Sequence, residues 1–149
     1  MSQPDPVSIL VVDDSPDARE MLGEYLAFRG FAVTEATHGA EAVEIARRVK
    51  PRIVLMDLSM PGMDGWEATR QLKADPTMKD VIVIAVSAHA FTNERARAEA
   101  AGCDAFVVKP FDLTTLADAL DRVVKSGRTA IDFERVGFTR KPPKARRGS

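Results

Sequence analysis

The stretch Ile53-Val54-Leu55-Met56-Asp57 sets four consecutive apolar residues before a single carboxylate. A short, continuous apolar run suits a strand buried on both faces of a parallel sheet, and ligands of such sheets bind outside the carboxyl ends of the strands. Three further runs share the pattern: Ile9 to Val12 leads into Asp13-Asp14, Val81 to Val86 into Ser87, and Phe106 to Val108 into Lys109. Four strands that end in residues fit for phosphate chemistry predict one shared site along one edge of a sheet.

Between these runs the hydrophobic period becomes helical. Ser15 is a candidate cap with Pro16 in the first helical position, and Ala18, Met21, Leu22, Tyr25 and Leu26 recur at the spacing of one buried face before Gly30 ends the segment. Phe31 to Ala36 reads as a second strand, and Ala42, Val43, Ala46 and Val49 mark a second helix stopped by Pro51. After Asp57 comes a turn-rich loop, Ser59 to Met63, and Asp64-Gly65-Trp66-Glu67 has the form of a capping box opening a helix to about Lys73. Thr92 to Ala101 is rich in alanine and charge, which predicts a helix that buries little, closed by Gly102. Asp112 caps a last helix with Leu113, Leu116, Ala117, Leu120 and Val124 on its buried face.

Five strands alternating strictly with five helices predict an α/β fold with parallel strands, right-handed crossovers and helices on both faces of the sheet. A closed barrel would take eight such units, so the sheet is open and doubly wound, with 2-1-3-4-5 as the expected strand order. That order puts the topological switch between strands one and three and brings Asp13-Asp14 beside Asp57.

At 149 residues, 45% hydrophobic and 29% charged, the chain has room for one well-buried domain and a tail. The expected division is an N-terminal extension over residues 1–6, a domain over 7–125 and a basic, disordered tail over 126–149. No apolar stretch approaches the ~18 residues of a membrane span, and Met1 to Pro6 has no signal-peptide character, so a cytoplasmic location is expected. The single cysteine, Cys103, can form neither an internal disulfide nor a Cys-x-x-Cys pair. Residues 126–149 carry seven basic and two acidic side chains, net +5, against a net of -6 for residues 1–125. The tail can act as an electrostatic arm toward an anionic partner but cannot by itself confer sequence specificity, and it is too short for a DNA-binding output domain.

Three carboxylates converging at a strand edge require raised pKa values or a cation, and the cation is the simpler answer. Oxygen-only ligation by few protein groups suits Mg²⁺, with Mn²⁺ as its substitute. Lys109 then offers a charge, and Ser87 a hydrogen bond, to a phosphoryl group. That group is either a bound ligand or one captured by a carboxylate as an aspartyl phosphate. Asp57, alone at the end of the central strand, is the favoured nucleophile, since Asp13 and Asp14 are paired in the manner of metal ligands. No G-x-x-x-x-G-K-[ST] loop is present to hold a nucleotide.

These marks together resemble the receiver domain of two-component response regulators, the CheY-like family with its flavodoxin-like fold. They are Asp13-Asp14, Leu55-Met56-Asp57, Met60-Pro61-Gly62-Met63-Asp64-Gly65, Val86-Ser87-Ala88 and Val108-Lys109-Pro110-Phe111, and the likeness covers about residues 7–125. The resemblance implies a phosphoacceptor at Asp57, supplied by a sensor histidine kinase or a histidine phosphotransfer protein. It implies Mg²⁺ held by Asp14, Asp57 and the Ser59 carbonyl, with Asp13 acting through water. It also implies Lys109 and Ser87 on the phosphoryl oxygens, a cis Lys109-Pro110 bond, and Phe106 as the aromatic partner of the Ser87 movement. Many relatives carry tyrosine where Phe106 stands, and a phenylalanine reports through packing instead of a hydroxyl. Ser59 and His89 occupy the positions that tune the lifetime of the aspartyl phosphate.

The implied role is a single-domain switch, catalysing only its own phosphorylation and dephosphorylation. Its fourth helix, fifth strand and fifth helix would face a downstream target, or the phosphoryl group would be relayed onward, and phosphorylation could drive dimerisation. Two other classes stand beside it. A Mg²⁺-dependent phosphohydrolase using Asp57 would generally need an acid two residues on, where this chain has Ser59. A receiver fold kept only as an interaction module is opposed by the intact Asp14, Asp57, Ser87 and Lys109. A Ser87-His89 hydrolase dyad lacks a nucleophile elbow, and His38, His89 and Cys103 lack zinc spacing. Trp66 reads as a packing or surface anchor.

Overall fold

Whether each apolar residue faces one layer or the other is decided by its parity along a strand. The structure is a computed structural model that describes residues 6–58, 65–87 and 93–126. Strands β1 (Ser8–Val12), β2 (Ala32–Ala36), β3 (Ile53–Asp57), β4 (Ile82–Ser87) and β5 (Ala105–Val108) alternate with helices α1 (Pro16–Phe28), α2 (Gly39–Val49), α3 (Gly65–Ala74), α4 (Asn93–Ala101) and α5 (Leu113–Ser126). All pairings are parallel, and the sheet order is β2-β1-β3-β4-β5. The expected fold class is therefore the observed one.

Leu10, Val12, Val54, Met56, Val83, Ala85 and Phe106 point into one layer, where Ala42 and Ala46 of α2, Trp66 and Leu72 of α3 and Ala98 of α4 meet them. Their neighbours in sequence, Ile9, Val11, Ile53, Leu55, Ile82, Ile84 and Val107, face the opposite layer and pack on Leu22 and Leu26 of α1 and Leu116 and Leu120 of α5. Alternate residues of a strand point to opposite faces, so a sheet covered on both sides needs the unbroken apolar runs seen in the sequence.

The helix ends follow from their capping residues. Ser15 Oγ accepts the Ala18 N–H with Pro16 at the first position of α1, and Gly30 follows at φ 99°, where a side chain would be strained. His38 is exposed and also caps α2, its Nδ1 accepting the Glu41 N–H, while Glu41 reaches back to the Thr37 N–H and hydroxyl. Asp112 accepts from the Thr115 N–H and caps α5. The expected cap of α3, Asp64, lies outside the described residues.

Three details differ from the expectations above. Met21 keeps the spacing of the buried face of α1 but is 58% exposed, because the true contact stripe is the narrower Leu22–Leu26 line, with Ala18 and Tyr25 half-buried at its edge. Val49 is likewise partly exposed at the end of α2. A 3₁₀ turn at Pro76–Met78 intervenes before β4, capped by Asp75, whose side chain accepts the Thr77 N–H. On α4, the buried side chains among those described are Ala98 and Ala101, so the expectation of little burial holds.

Candidate functional site

The break between β1 and β3 gathers the acidic residues. Asp13 follows β1, 7% exposed, its N–H donating to the Ala36 carbonyl at 3.2 Å and its Oδ1 accepting the Ser15 N–H at 2.9 Å. Asp57 is the last residue of β3 and 3% exposed, whereas Asp14 is open to solvent. One carboxylate oxygen from each of the three lies within 4.8 Å of the others. Lys109 arrives from beyond β5, with its N–H held by the Ser87 carbonyl at 2.8 Å and the following Lys109-Pro110 peptide cis. Its ammonium passes over β4 and donates to Asp57 Oδ2 at 3.3 Å and Asp13 Oδ2 at 3.5 Å.

Burial pushes the Asp13 carboxyl above its ordinary range, and the charge of Asp57 pushes it further, against the Ser15 N–H and Lys109, which favour the anion. Burial works against the Lys109 ammonium, but Asp57 and Asp13 outweigh it and hold this pKa above the usual lysine value. Among the described residues, three clustered carboxylates thus stand with the Lys109 ammonium, which pairs with two of them, and the donor set is all oxygen. These residues fit a hard divalent cation such as Mg²⁺, which takes oxygen ligands and tolerates few protein groups. The Ser59 carbonyl, expected among the ligands, and His89 lie outside the described residues.

Ser87 and Phe106 are both fully buried. In the register of β4 and β5, Ala85 stands opposite Phe106 and Ser87 opposite Val108. Ser87 therefore shares a face with Ala85 and Phe106, the face covered by α4, and the small Ala85 lies beside the ring.

Three contributors to the site have no role there assigned by spacing or composition. Arg19 Nη1 donates to the Asp13 carbonyl at 2.9 Å while its Nε pairs with Glu35 at 3.0 Å, fixing the backbone that presents the acidic pair. Gly65 packs so close to β3 that a Cβ would stand 2.6 Å from the Asp57 carbonyl oxygen. A mostly apolar groove of about 430 Å³ runs from Met21 and Leu22 of α1 to Phe111 and Leu113 and opens at Asp57 and Lys109.

Other candidates fall away from the site. Cys103 is buried, its thiol 3.9 Å from Thr69 Oγ1, and burial pushes its pKa up to about 12. Trp66 is a packing anchor, 5% exposed, with the Arg97 guanidinium 4.3 Å from its ring centroid. No helix among the described residues is long and apolar enough to cross a membrane.

Residues 9–121 match the response regulator receiver domain family. Chemotaxis protein CheY of Thermotoga maritima is 39% identical over 119 residues, which is 78% of this chain and 97% of that protein. Protein PilH of Pseudomonas aeruginosa is 36% identical over 116 residues, 78% of this chain and 96% of its own length. Among solved structures, the chemotaxis protein CheY4 of Vibrio cholerae superposes with a TM-score of 0.75 at 28% identity, covering 79% of this chain and 98% of that one. The acidic triad, the lysine that spans it and the 2-1-3-4-5 sheet thus occur in a chain that belongs to the receiver domain family of two-component response regulators.

Proposed function

We propose that Asp57 accepts a phosphoryl group from a phosphohistidine on a sensor histidine kinase or phosphotransfer protein, in the cytoplasm. The observation that carries this reading is the Asp57 carboxylate itself: almost completely buried, at the end of the central strand, with the Lys109 ammonium 3.3 Å away. An Asp57 oxygen attacks phosphorus, the phosphorus–nitrogen bond breaks, and the electron pair returns to the imidazole. Lys109 balances charge on the phosphoryl oxygens, and the Ser87 hydroxyl donates to one of them. Asp14 and Asp57, with Asp13 behind them and the Ser59 carbonyl, would hold a Mg²⁺ ion, which when bound neutralises the remaining phosphoryl charge.

Readout runs through the α4 side. Ser87 and Phe106 share a buried face under α4, so a hydroxyl that moves toward the phosphoryl group vacates space that the Phe106 ring can enter. The altered α4, β5 and α5 surface then engages a target protein or a second copy, or the phosphoryl group passes onward. Ser59 and His89 govern access of the water that hydrolyses the aspartyl phosphate.

The test is intact mass after incubation with Mg²⁺ and a small acyl-phosphate donor. One phosphoryl adduct is expected on the wild type and none on Asp57→Asn. Absence of the adduct in the wild type, even with candidate histidine kinases supplied, overturns the reading. Rapid turnover of unrelated phosphate esters would point to a hydrolase instead.

A further inference from the structure

Helix α1 carries two adjoining stripes that nothing in the described structure covers. Asp17, Glu20 and Glu24 recur at positions three and four apart, are exposed, and have no ion-pair partner among the described residues. At 100° per residue they lie next to Met21 and Phe28, which are 58% and 82% exposed. On the far side of Met21 the apolar groove begins and runs to Asp57 and Lys109. The surface therefore reads acidic, then apolar, then concave, and it ends at the proposed phosphoacceptor.

The chain that leaves α5 has the complementary composition. Arg29 at the end of α1 pairs with Asp118 at 2.8 Å and Asp121 at 3.1 Å, so α5 is laid beside α1 and ends at Ser126, one turn and a half further on. Residues 127–149 continue from that point with net charge +5. They place Ile131, Phe133, Val136 and Phe138 before the basic run Arg140, Lys141, Lys144, Arg146 and Arg147. Twelve residues, 127–138, span up to ~40 Å, about twice the length of the thirteen-residue helix α1. That length is enough to reach along this surface, and a segment tethered in this way acts at an effective concentration in the millimolar range.

We propose that residues 127–149 are the occupant of this surface. The aromatic segment Phe133 to Phe138 lies over Met21 and Phe28 and enters the groove, and the basic run pairs with Asp17, Glu20 and Glu24. The segment acts as a tethered cover that competes with any partner approaching Asp57 along α1. This consequence for phosphorylation rests on the phosphoacceptor reading, but the docking itself does not.

The docking is tested in the full-length chain by carbodiimide coupling at low protein concentration, which joins lysine amines to neighbouring carboxylates, followed by peptide mass mapping. Links from Lys141 and Lys144 to Glu20 and Glu24 within one chain are expected, and they should fade in high salt, since exposed pairs are screened. They should also be lost in the full-length Phe133→Ser/Phe138→Ser variant, which keeps every charge and so separates the apolar contribution from the ionic one. Links spread evenly over all surface acids overturn the proposal. Links only in products of doubled mass assign the groove to a second copy and overturn it as well. No α1 link at all leaves the groove to a separate partner protein, and the proposal falls in that case too.

The covering role is read from the rate of adduct formation with a phosphohistidine partner. A surface covered between half and nine-tenths of the time predicts a roughly two- to tenfold faster rate in Arg140→Glu/Lys141→Glu, partly reversed by adding Glu20→Lys/Glu24→Lys. Equal rates in all three chains overturn the cover. Absence of any adduct on Asp57 in every chain is a separate result, which overturns the phosphoacceptor reading and leaves the docking to be decided by the coupling experiment.

Discussion

Helices α5 and α4 flank the same end of the sheet but are held to it by different means. α5 buries Leu116, Leu120 and Val123 against strand residues and is tied to α1 by the Arg29 ion pairs and the Tyr25–Thr114 hydroxyl contact at 3.2 Å. Among its described side chains, α4 buries the methyl groups of Ala98 and Ala101, with Arg97 laid over Trp66. A buried methylene contributes about 0.8 kcal/mol, so three branched aliphatic side chains outweigh two methyl groups several-fold. Of the two, the helix with less apolar burial among its described residues packs into the layer that holds Phe106, and the one with more completes the wall of the groove beside Asp57. One helix is anchored, and the other is lightly held on the side where the readout is proposed.

The comparison is broken first by core truncation. Leu120→Ala is expected to lower stability by about 2–5 kcal/mol, read as a lower urea midpoint with an unchanged slope. Asp104→Ala ranks next, at about 1–3 kcal/mol, because one carboxylate accepts the Val83 N–H at 2.8 Å and the Lys73 ammonium at 2.9 Å, and its loss strands the Val83 N–H and leaves Lys73 its bond to the Val81 carbonyl at 3.0 Å. Ala98→Gly is expected to cost about 1 kcal/mol, mostly backbone entropy, with one methyl lost from the interface. If Ala98→Gly cost as much as Leu120→Ala, α4 would be an anchor too, and the contrast would fail.

What is legible in the sequence divides along the same line. Continuous apolar runs announce buried parallel strands because no other short element requires both faces to be apolar, and the strand-end Asp57, Asp13, Asp14 and Lys109 then meet by topology alone. Contacts between residues far apart leave no such periodic trace. Arg29 meets Asp118 and Asp121 across 89 and 92 residues, and Arg19 bonds a backbone carbonyl, which no side-chain pattern records. His38 does not announce itself as a cap because the favoured capping residues are Ser, Thr, Asp and Asn, yet its ring nitrogen accepts the same N–H that their oxygens would. The Asp75-Pro76 pair does carry a cap-and-proline signal for the 3₁₀ turn, hidden by the shortness of the element. Met21 shows the limit of spacing: it keeps the helical period, but the width of the contact stripe is set by where α5 lies.

Cys103 offers the finest measure of the contrast. It follows α4 directly, is buried, and its thiol is pushed up to about 12 by burial, with the nearby Asp104 charge adding to the shift and Thr69 opposing it. Only the thiolate alkylates, so at pH 8 the native chain should react with iodoacetamide at least ~100-fold more slowly than the urea-unfolded chain. Labelling then requires opening, either of the α4 end alone or of the whole domain. If α4 opens alone, Ala98→Gly should accelerate labelling by about fivefold, the equivalent of its ~1 kcal/mol. Leu120→Ala, which weakens the opposite layer, should leave the rate nearly unchanged while lowering the urea midpoint far more. Should Leu120→Ala instead accelerate labelling in proportion to its stability loss, Cys103 would be reached only by global unfolding. The two layers would then open as one unit, and the movement proposed for Ser87 and Phe106 would have to occur inside a rigid body.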